Sequence, residues 1–169
     1  MPLNKLENFI KNTEGRILYV NPNDLDATDG IENEGNSLTK PFKTIQRALI
    51  ESARFSYIEG NDNDIVEKTT ILCFPGEHLI DNRPGFGIKM VSGDARAVKP
   101  DGGVSNLGAT ETFSLTLNSN FDLTQEDNIL YKFNSVHGGV VIPRGTSLVG
   151  LDLRKTKIRP KYVPNPTDP

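Results

Sequence analysis

The segment 139–160 decides the predicted fold, and it reads GVVIPRGTSLVGLDLRKTKIRP. Short apolar groups recur in it about every eight residues, at 140–142, 148–149 and Ile158, with Gly, Pro or charged residues between them. Strands this short, joined by tight corners, can wind as a solenoid in which each turn buries its apolar stripe on the next. The pattern therefore predicts stacked coils rather than an ordinary hairpin sheet.

Composition is consistent with a mostly β chain. Apolar residues make up 36% of the 169 positions, while Gly and Pro supply 15 and 11, so long helices are not expected to dominate. The length allows one compact unit, or one unit with appendages. A formal net charge of −3 argues against a dedicated nucleic-acid binder.

The single cysteine and the amino terminus indicate where the chain is made. Cys73 lies in an apolar run and cannot form an internal disulfide, so it is predicted to be a small buried hydrophobe. Residues 1–16 mix charges with few large apolar residues and do not resemble a signal peptide. No apolar run approaches the ~18 residues needed to cross a bilayer. The sequence predicts a soluble protein made in a reducing compartment.

Upstream of the coils, the clearest helix covers 41–53. Thr39 is the predicted cap, and Pro41 suits the first turn. Apolar and small residues line one face at spacings of three and four: Phe42, Ile45, Ala48, Leu49, Ser52 and Ala53. Strands are predicted before it, at 17–20, and after it, at 69–74, where Pro75 and Gly76 end the strand.

The loop 24–30 carries several acids and partly matches a calcium-binding loop. Its third acid and its Gly each fall one place late for an EF-hand. Two interpretations stay open: a calcium loop, and Asx turns that satisfy the loop backbone.

Two further regions are less regular. Leu6, Phe9 and Ile10 have helical spacing and form a candidate docking helix, with a frayed terminus as the alternative. Gly and Pro interrupt 83–135 repeatedly, which predicts an elaborated insertion with short strands at 88–90, 113–117 and 129–133.

No catalytic or metal constellation can be read from the sequence. The two histidines, His78 and His137, are far apart and lack metal-ligand spacing. Asp152 lies near Arg154 and Lys155, and this grouping is interpreted as a solvated turn. No cofactor and no metal are predicted.

A row of basic residues is the candidate binding site. Lys155, Lys157, Arg159 and Lys161 fall at every second position, so an extended backbone places them on one face, with Ile158 on the other. Two interpretations stay open: an edge guarded by charge against aggregation, and a docking stripe for an acidic partner or an anionic glycan. With Tyr162 as the nearby aromatic residue, a stacking platform for nucleic acid finds little support.

The order of these elements resembles the opening of a single-stranded right-handed parallel β-helix of the pectate-lyase-like architecture. That opening runs from a strand through an Asp/Gly loop, a Pro-Phe-x-Thr-Ile-x-x-Ala helix and a strand ending in Pro-Gly to coils reading Ile-Pro-x-Gly-x-x-Leu-x-Gly. The matching positions are 18–21, 29–30, 41–48, 74–76 and 142–150. The wording TKPFKTIQRA at 39–48 and GLDLRKTKIRP at 150–160 is most similar to the N-terminal part of large virion structural proteins of T4-like marine cyanophages.

The resemblance covers about 16–163, weakest over 83–135, and such proteins continue through many more coils. It implies a mostly β fold, the start of a right-handed parallel β-helix (a β-solenoid) capped by one amphipathic helix. Residues 1–15 would be an attachment segment, and 16–169 would hold the cap and first coils, with the insertion at about 83–135. The sequence is expected to be an N-terminal piece of a longer chain.

The implied function is that of a tail-associated virion protein, in a fibre, a spike or near the baseplate, that attaches and scaffolds and is not an enzyme. Its implied partners are other tail proteins, further copies in a homotrimer by analogy with fibres and spikes, and a host surface glycan. Nucleic acid and membrane insertion are not expected. The protein would be assembled in the host cytoplasm and reside in the virion. Two alternatives are a tailspike-type polysaccharide lyase or hydrolase with its site on coils beyond 169, and a non-catalytic glycan-binding module.

Overall fold

A computed structural model describes residues 15–30, 32–55, 67–85, 88–91, 94–97 and 129–163. Most of the regular elements in these ranges are β-strands. The strands are β1 (Arg16–Val20), β2 (Thr69–Cys73), β3 (Gly76–Ile80), β4 (Ile88–Val91), β5 (Asp94–Ala97), β6 (Thr146–Gly150) and β7 (Thr156–Pro160). One α-helix, α1 (Ile45–Phe55), and one 3₁₀ helix (Ile129–Phe133) complete the described elements. The mostly β prediction, with one helix, is confirmed.

Two open parallel sheets organise the fold. The first has the order β1-β2-β6, and the second pairs β3 with β7. The in-register row Leu18, Ile71 and Leu148 crosses the first sheet, and His78 lies opposite Ile158 in the second. Because β2 leads directly into β3, and β6 into β7, each of these two segments contributes one strand to each sheet. The second segment therefore adds one strand to each of the two sheets, next to the strand that the first segment contributed.

The core lies between the inner face of the first sheet and the helix. Leu18, Val20, Ile71 and Cys73 point inward from β1 and β2, and residues of the helix and the segment before it pack on them. Cys73 is fully buried, as predicted, and this burial raises the pKa of its thiol to about 12. The side chain therefore acts as a small hydrophobe.

The helix is buried on more than its predicted face. All six residues of that face are buried, which confirms the periodicity: Phe42, Ile45, Ala48, Leu49, Ser52 and Ala53. The opposite side is buried as well, since Gln46 donates to the carbonyl oxygen of Asp81 and to Asn134 Oδ1, both at 3.0 Å. Ser52 hydrogen-bonds Thr146 of β6. The helix thus lies along the interior and reaches the third strand of the first sheet.

The predicted start of the helix is wrong. The helix begins at Ile45 rather than at Pro41, and its cap is Thr44 rather than Thr39, because Thr44 Oγ1 accepts the N–H of Arg47 at 3.2 Å. The residues before Thr44 are extended, since they are needed to pair with β1.

This extended segment covers the outer edge of β1. Phe42 donates its N–H to Tyr19 and accepts from Asn21, and Tyr19 donates to the carbonyl of Gly35. The Phe42 side chain is fully buried in the core cluster. An unpaired edge would expose a row of backbone N–H and C=O groups, so these bonds close one end of the sheet.

The loop 24–30 contains an Asx turn, and a second one lies just before it. Asp24 Oδ1 accepts the N–H of Asp26 at 2.9 Å, and Asn21 Oδ1 accepts that of Asn23 at 3.2 Å. Both are Asx turns, the second interpretation of this segment.

Asp29 at the end of this loop is buried and supports the start of the helix. Its Oδ1 accepts the N–H groups of Lys43 at 2.8 Å and Thr44 at 3.1 Å. Burial nevertheless raises the pKa of Asp29 to about 6, because desolvation outweighs these hydrogen bonds and the attraction of Arg47.

Asp29→Asn is expected to stabilise the protein at pH 7 by roughly 1–3 kcal/mol. The folded pKa lies above the ordinary value of 3.8, so the stability that protonated Asp29 contributes is complete below pH 3.8 and is lost as the pH rises through about 6. The advantage of the variant should therefore vanish near pH 4. Urea denaturation of both proteins at several pH values measures it.

Asp26→Asn is the matched control, because it makes the same change of charge at an exposed position of the same loop. It should leave the pH dependence of the free energy of unfolding nearly unchanged. Equal pH profiles for the native protein and Asp29→Asn would contradict the role given to burial.

The insertion is only partly described, and one prediction there is wrong. The strand expected at 88–90 is confirmed as β4, which pairs antiparallel with β5. Residues 129–133 form a 3₁₀ helix instead of a strand, because Leu130 and Phe133, three positions apart, are both buried on one side. The strand predicted at 113–117 lies outside the described residues, as does the predicted amino-terminal helix of Leu6, Phe9 and Ile10.

Candidate docking face

The predicted basic row is centred on β7 and begins in the turn before it. Lys155, Lys157, Arg159 and Lys161 are all exposed. Thr156 lies against Gly150 of β6, and Ile158 is paired with the buried His78, so these two point to the opposite side of the strand, where Ile158 is still 48% exposed. The alternation expected from an extended backbone is present, and it puts the basic residues on the outward side.

The turn that precedes β7 adds one more basic residue. Asp152 Oδ1 accepts the N–H of Arg154 at 2.8 Å and that of Lys155 at 3.0 Å. These hydrogen bonds lower the pKa of Asp152. Its carboxylate therefore holds the turn, which agrees with the interpretation from the sequence, while the exposed Arg154 extends the basic row.

Strand β3 lies beside the row and carries one acid. Glu77 is in register with Lys157, and its Oε2 lies 3.8 Å from Nη1 of Arg159. Both members of this ion pair are about half exposed, so the pair is weak. Leu79, in register with Arg159, is 51% exposed.

We define the docking face as the outward side of β3, β7 and the turn 151–155, together with Lys161. It holds five cations, Arg154, Lys155, Lys157, Arg159 and Lys161, against the carboxylates of Glu77 and Asp152. The face is therefore positive although the whole chain has a net charge of −3. Such a local reversal of sign attracts anionic groups.

A shallow groove of about 410 Å³ runs along one end of the docking face. It is lined by three cations, Arg154, Lys155 and Lys157, by the carboxylate of Glu77, and by Asn23, Pro75 and Gly76. Asn23 Nδ2 donates to the carbonyl of Pro75 at 3.1 Å, which ties together two of the turns that line the groove. The groove can receive an extended ligand with its charged groups toward the cations.

A second surface lies at the end of the sheets away from β1. Strands β6 and β7 are the last described strands of their sheets, and a groove of about 270 Å³ opens beside them. Leu148, Ile158 and the fully exposed Leu153 line it, together with the polar Asp152 and Thr156. One end of the fold is thus closed by the 35–42 segment, and the other presents apolar side chains beside open strand edges.

The histidines do not form a site. His78 is buried, and its Nε2 lies 2.8 Å from the carbonyl oxygen of Phe74. His137 is exposed in a turn. No group of three His, Cys, Asp or Glu side chains that could hold a metal ion occurs in the described part of the chain. Within those same ranges, no helix is long and apolar enough to span a membrane.

Sequence reasoning missed two contributors to the face. The strand β3 was not predicted, because only the end of the preceding strand at Pro75 and Gly76 was recognised. Without β3, the positions of Glu77 and Leu79 beside the basic row could not be known. The alternation of Glu77, His78 and Leu79 is too short to predict a strand without the register that β7 supplies.

Comparison of the chain with protein-family models, with curated proteins and with solved structures finds no match.

Proposed function

We propose that this chain forms the closed end of a right-handed parallel β-helix in a tail-associated phage virion protein, where it serves attachment and scaffolding. The observation that carries the proposal is the pair of parallel ladders, β1-β2-β6 and β3-β7, which grow in the same direction along the chain; the outer edge of β1, where the first ladder starts, is covered. The sequence resemblance at 39–48 and 150–160 supplies the link to virion proteins.

The ladders support the fold part of the proposal. Backbone bonds also join the turns between strands, from Phe74 to Val20, from Leu151 to Cys73 and from Gly76 to Lys155. Successive coils are therefore hydrogen-bonded through the turns between strands as well as through the strands themselves. Parallel crossovers in one sheet are right-handed in almost all proteins, which favours the right-handed form of the helix.

The stacking also supports a mechanical role. In a solenoid each turn contacts mainly its neighbours, and continuous backbone ladders make the structure stiff along its axis. A domain with a covered end and a stiff body is suited to anchoring a longer rod. Such a domain acts by binding other proteins, and the positive docking face provides a surface for that binding.

Deleting residues 1–15 is expected to lower incorporation of the protein into phage particles at least several-fold, if this segment attaches to other tail proteins. Quantitative immunoblotting of purified particles against total lysate measures the ratio. Far-UV circular dichroism of the truncated protein should match that of the full chain. Unchanged incorporation would count against the attachment role of 1–15.

The enzyme alternative is tested separately. The full-length product is incubated with host surface polysaccharide, and new reducing ends are measured against a heat-treated control. No release of reducing ends is expected from a scaffold. Steady release would replace the scaffold proposal with a lyase or hydrolase, and glycan binding without release would favour a binding module.

A further inference from the structure

We infer that the docking face binds an extended acidic segment of another protein, with carboxylates at alternate positions. The inference rests on the proposed attachment function only for the expectation that this protein belongs to the same particle.

Spacing is the first reason. Lys157 and Arg159 are two residues apart in β7, so their Cα atoms lie roughly 7 Å apart along the strand, and Lys161 follows two positions further on. Alternate side chains of any extended peptide repeat at the same distance. A strand-like ligand with an acid at every second residue can therefore meet the row without distortion.

The pairing already present on the face is the second reason. Glu77 on β3 lies in register with Lys157 and forms the 3.8 Å ion pair with Arg159. A carboxylate on an adjacent extended strand can thus reach a cation of the row. A single half-exposed acid leaves most of the positive charge for a ligand.

The surroundings favour a protein segment over a glycan. Strands β3 and β7 and the turn 151–155 contain no aromatic residue that could stack on a sugar ring. The nearby Tyr162 is 39% exposed, and its ring already has two cations beside it, since the guanidinium carbon of Arg83 lies 5.0 Å and Nζ of Lys161 5.4 Å from its centroid. The exposed Leu79 beside Arg159 offers an apolar contact of the kind that an aliphatic side chain would use.

The probe is a fluorescent ten-residue peptide with Glu at alternate positions and Thr or Leu between them. Fluorescence anisotropy with the full chain at low salt should show saturable binding. A peptide of the same composition with its Glu residues clustered should bind at least about threefold more weakly, since two or more of its charges miss the row. Binding should weaken as salt is raised.

Variants locate the binding. Lys157→Gln with Arg159→Gln should weaken it about tenfold, and Glu77→Gln should strengthen it by roughly twofold to threefold. Lys40→Gln with Lys43→Gln removes the same charge from two exposed lysines on the segment that covers β1, and it should change affinity less than about twofold.

Several results would overturn the inference. An equal loss of peptide affinity in the two double variants would show that the peptide responds only to the net charge of the protein. Equal affinity for the clustered peptide would show that spacing is not recognised. Displacement of the peptide by a sulfated glycan at far lower concentration would assign the face to glycans. If the full chain itself is absent from purified particles but still binds the peptide, the proposed function is rejected and this inference stands.

Discussion

Replacing Arg47 with Met is expected to lower the free energy of unfolding by about 3–5 kcal/mol. Arg47 is 1% exposed, and its Nη1 lies 2.8 Å from Oε2 of Glu51, which is also buried. Removing Arg47 takes the buried partner from Glu51 and leaves its buried carboxylate with only the partly exposed Arg54, at 3.0 Å, as a paired cation. Urea denaturation followed by far-UV circular dichroism measures the change.

Arg47 also joins three parts of the fold, which adds to the expected loss. Its Nε donates to the carbonyl of Asp29 at 3.3 Å, and its Nη2 donates to that of Asn33 at 3.1 Å. The guanidinium carbon lies 4.6 Å from the centroid of the Phe42 ring. The substitution therefore leaves two loop carbonyls without this donor and removes a cation from the face of a buried ring.

Two comparisons separate the ion pair from packing. Adding Glu51→Gln to Arg47→Met should restore part of the lost stability, because it removes the Glu51 carboxylate that has lost its buried partner. Arg54 also binds Glu51, at 3.0 Å, but it is 31% exposed, so Arg54→Met should cost under about 1 kcal/mol. A cost for Arg47→Met no larger than that for Arg54→Met would contradict this account.

The helix shows what the sequence could predict and what it could not. The apolar spacing from Phe42 to Ala53 predicted the face that packs on the sheet, since burial of one side imposes that period. Burial of Arg47 and Gln46 could not be predicted in this way. Apart from Glu51, which lies one helical turn from Arg47, their partners are Asp29, Asn33, Asp81 and Asn134. These residues lie outside the helix and follow no periodic pattern that could predict the contacts.

Strands were predicted where apolar residues recur in the sequence, and strand β3, which has no such pattern, was not predicted. Leu148 and Ile158 signalled β6 and β7, whereas β3 exposes Glu77 and Leu79 and has little apolar pattern. The segment 129–133 is a run of mostly large residues without alternation, so a helix and a strand were equally compatible with its composition. Tertiary contacts of Leu130 and Phe133 decide for the 3₁₀ helix.

The candidate site follows the same division. The alternation of Lys155, Lys157, Arg159 and Lys161 is local, and two of the four, Lys157 and Arg159, lie on one side of the extended strand β7. The acid beside it depends on the register of β3 with β7, which only the fold supplies. The sequence could therefore predict the charge of the face but not the ion pair that shows how the row can be engaged.

Phe42→Ala is expected to lower the free energy of unfolding by about 3–5 kcal/mol, since the ring is fully buried in the core next to the covered edge of β1.

Gly35→Ala should lower the free energy of unfolding by about 2–4 kcal/mol, because backbone strain and a steric overlap add at this position. Gly35 has a φ of +62°, which favours glycine, and an added methyl group would overlap the Phe42 ring. Urea denaturation measures both values.

The double variant tests whether this overlap is the cause. With the ring removed, the methyl group that Gly35→Ala adds gains room, so the double variant should cost less than the two single variants together by about 1–2 kcal/mol. Gly139→Ala is the matched control. Gly139 has a φ of +82° but no atom within 4 Å of the added methyl group, so it should cost only about 1–2 kcal/mol, the backbone part alone. Additive costs for Gly35 and Phe42 would show that the ring does not limit the space at Gly35, and the closure of the β1 edge would then depend on the backbone hydrogen bonds alone.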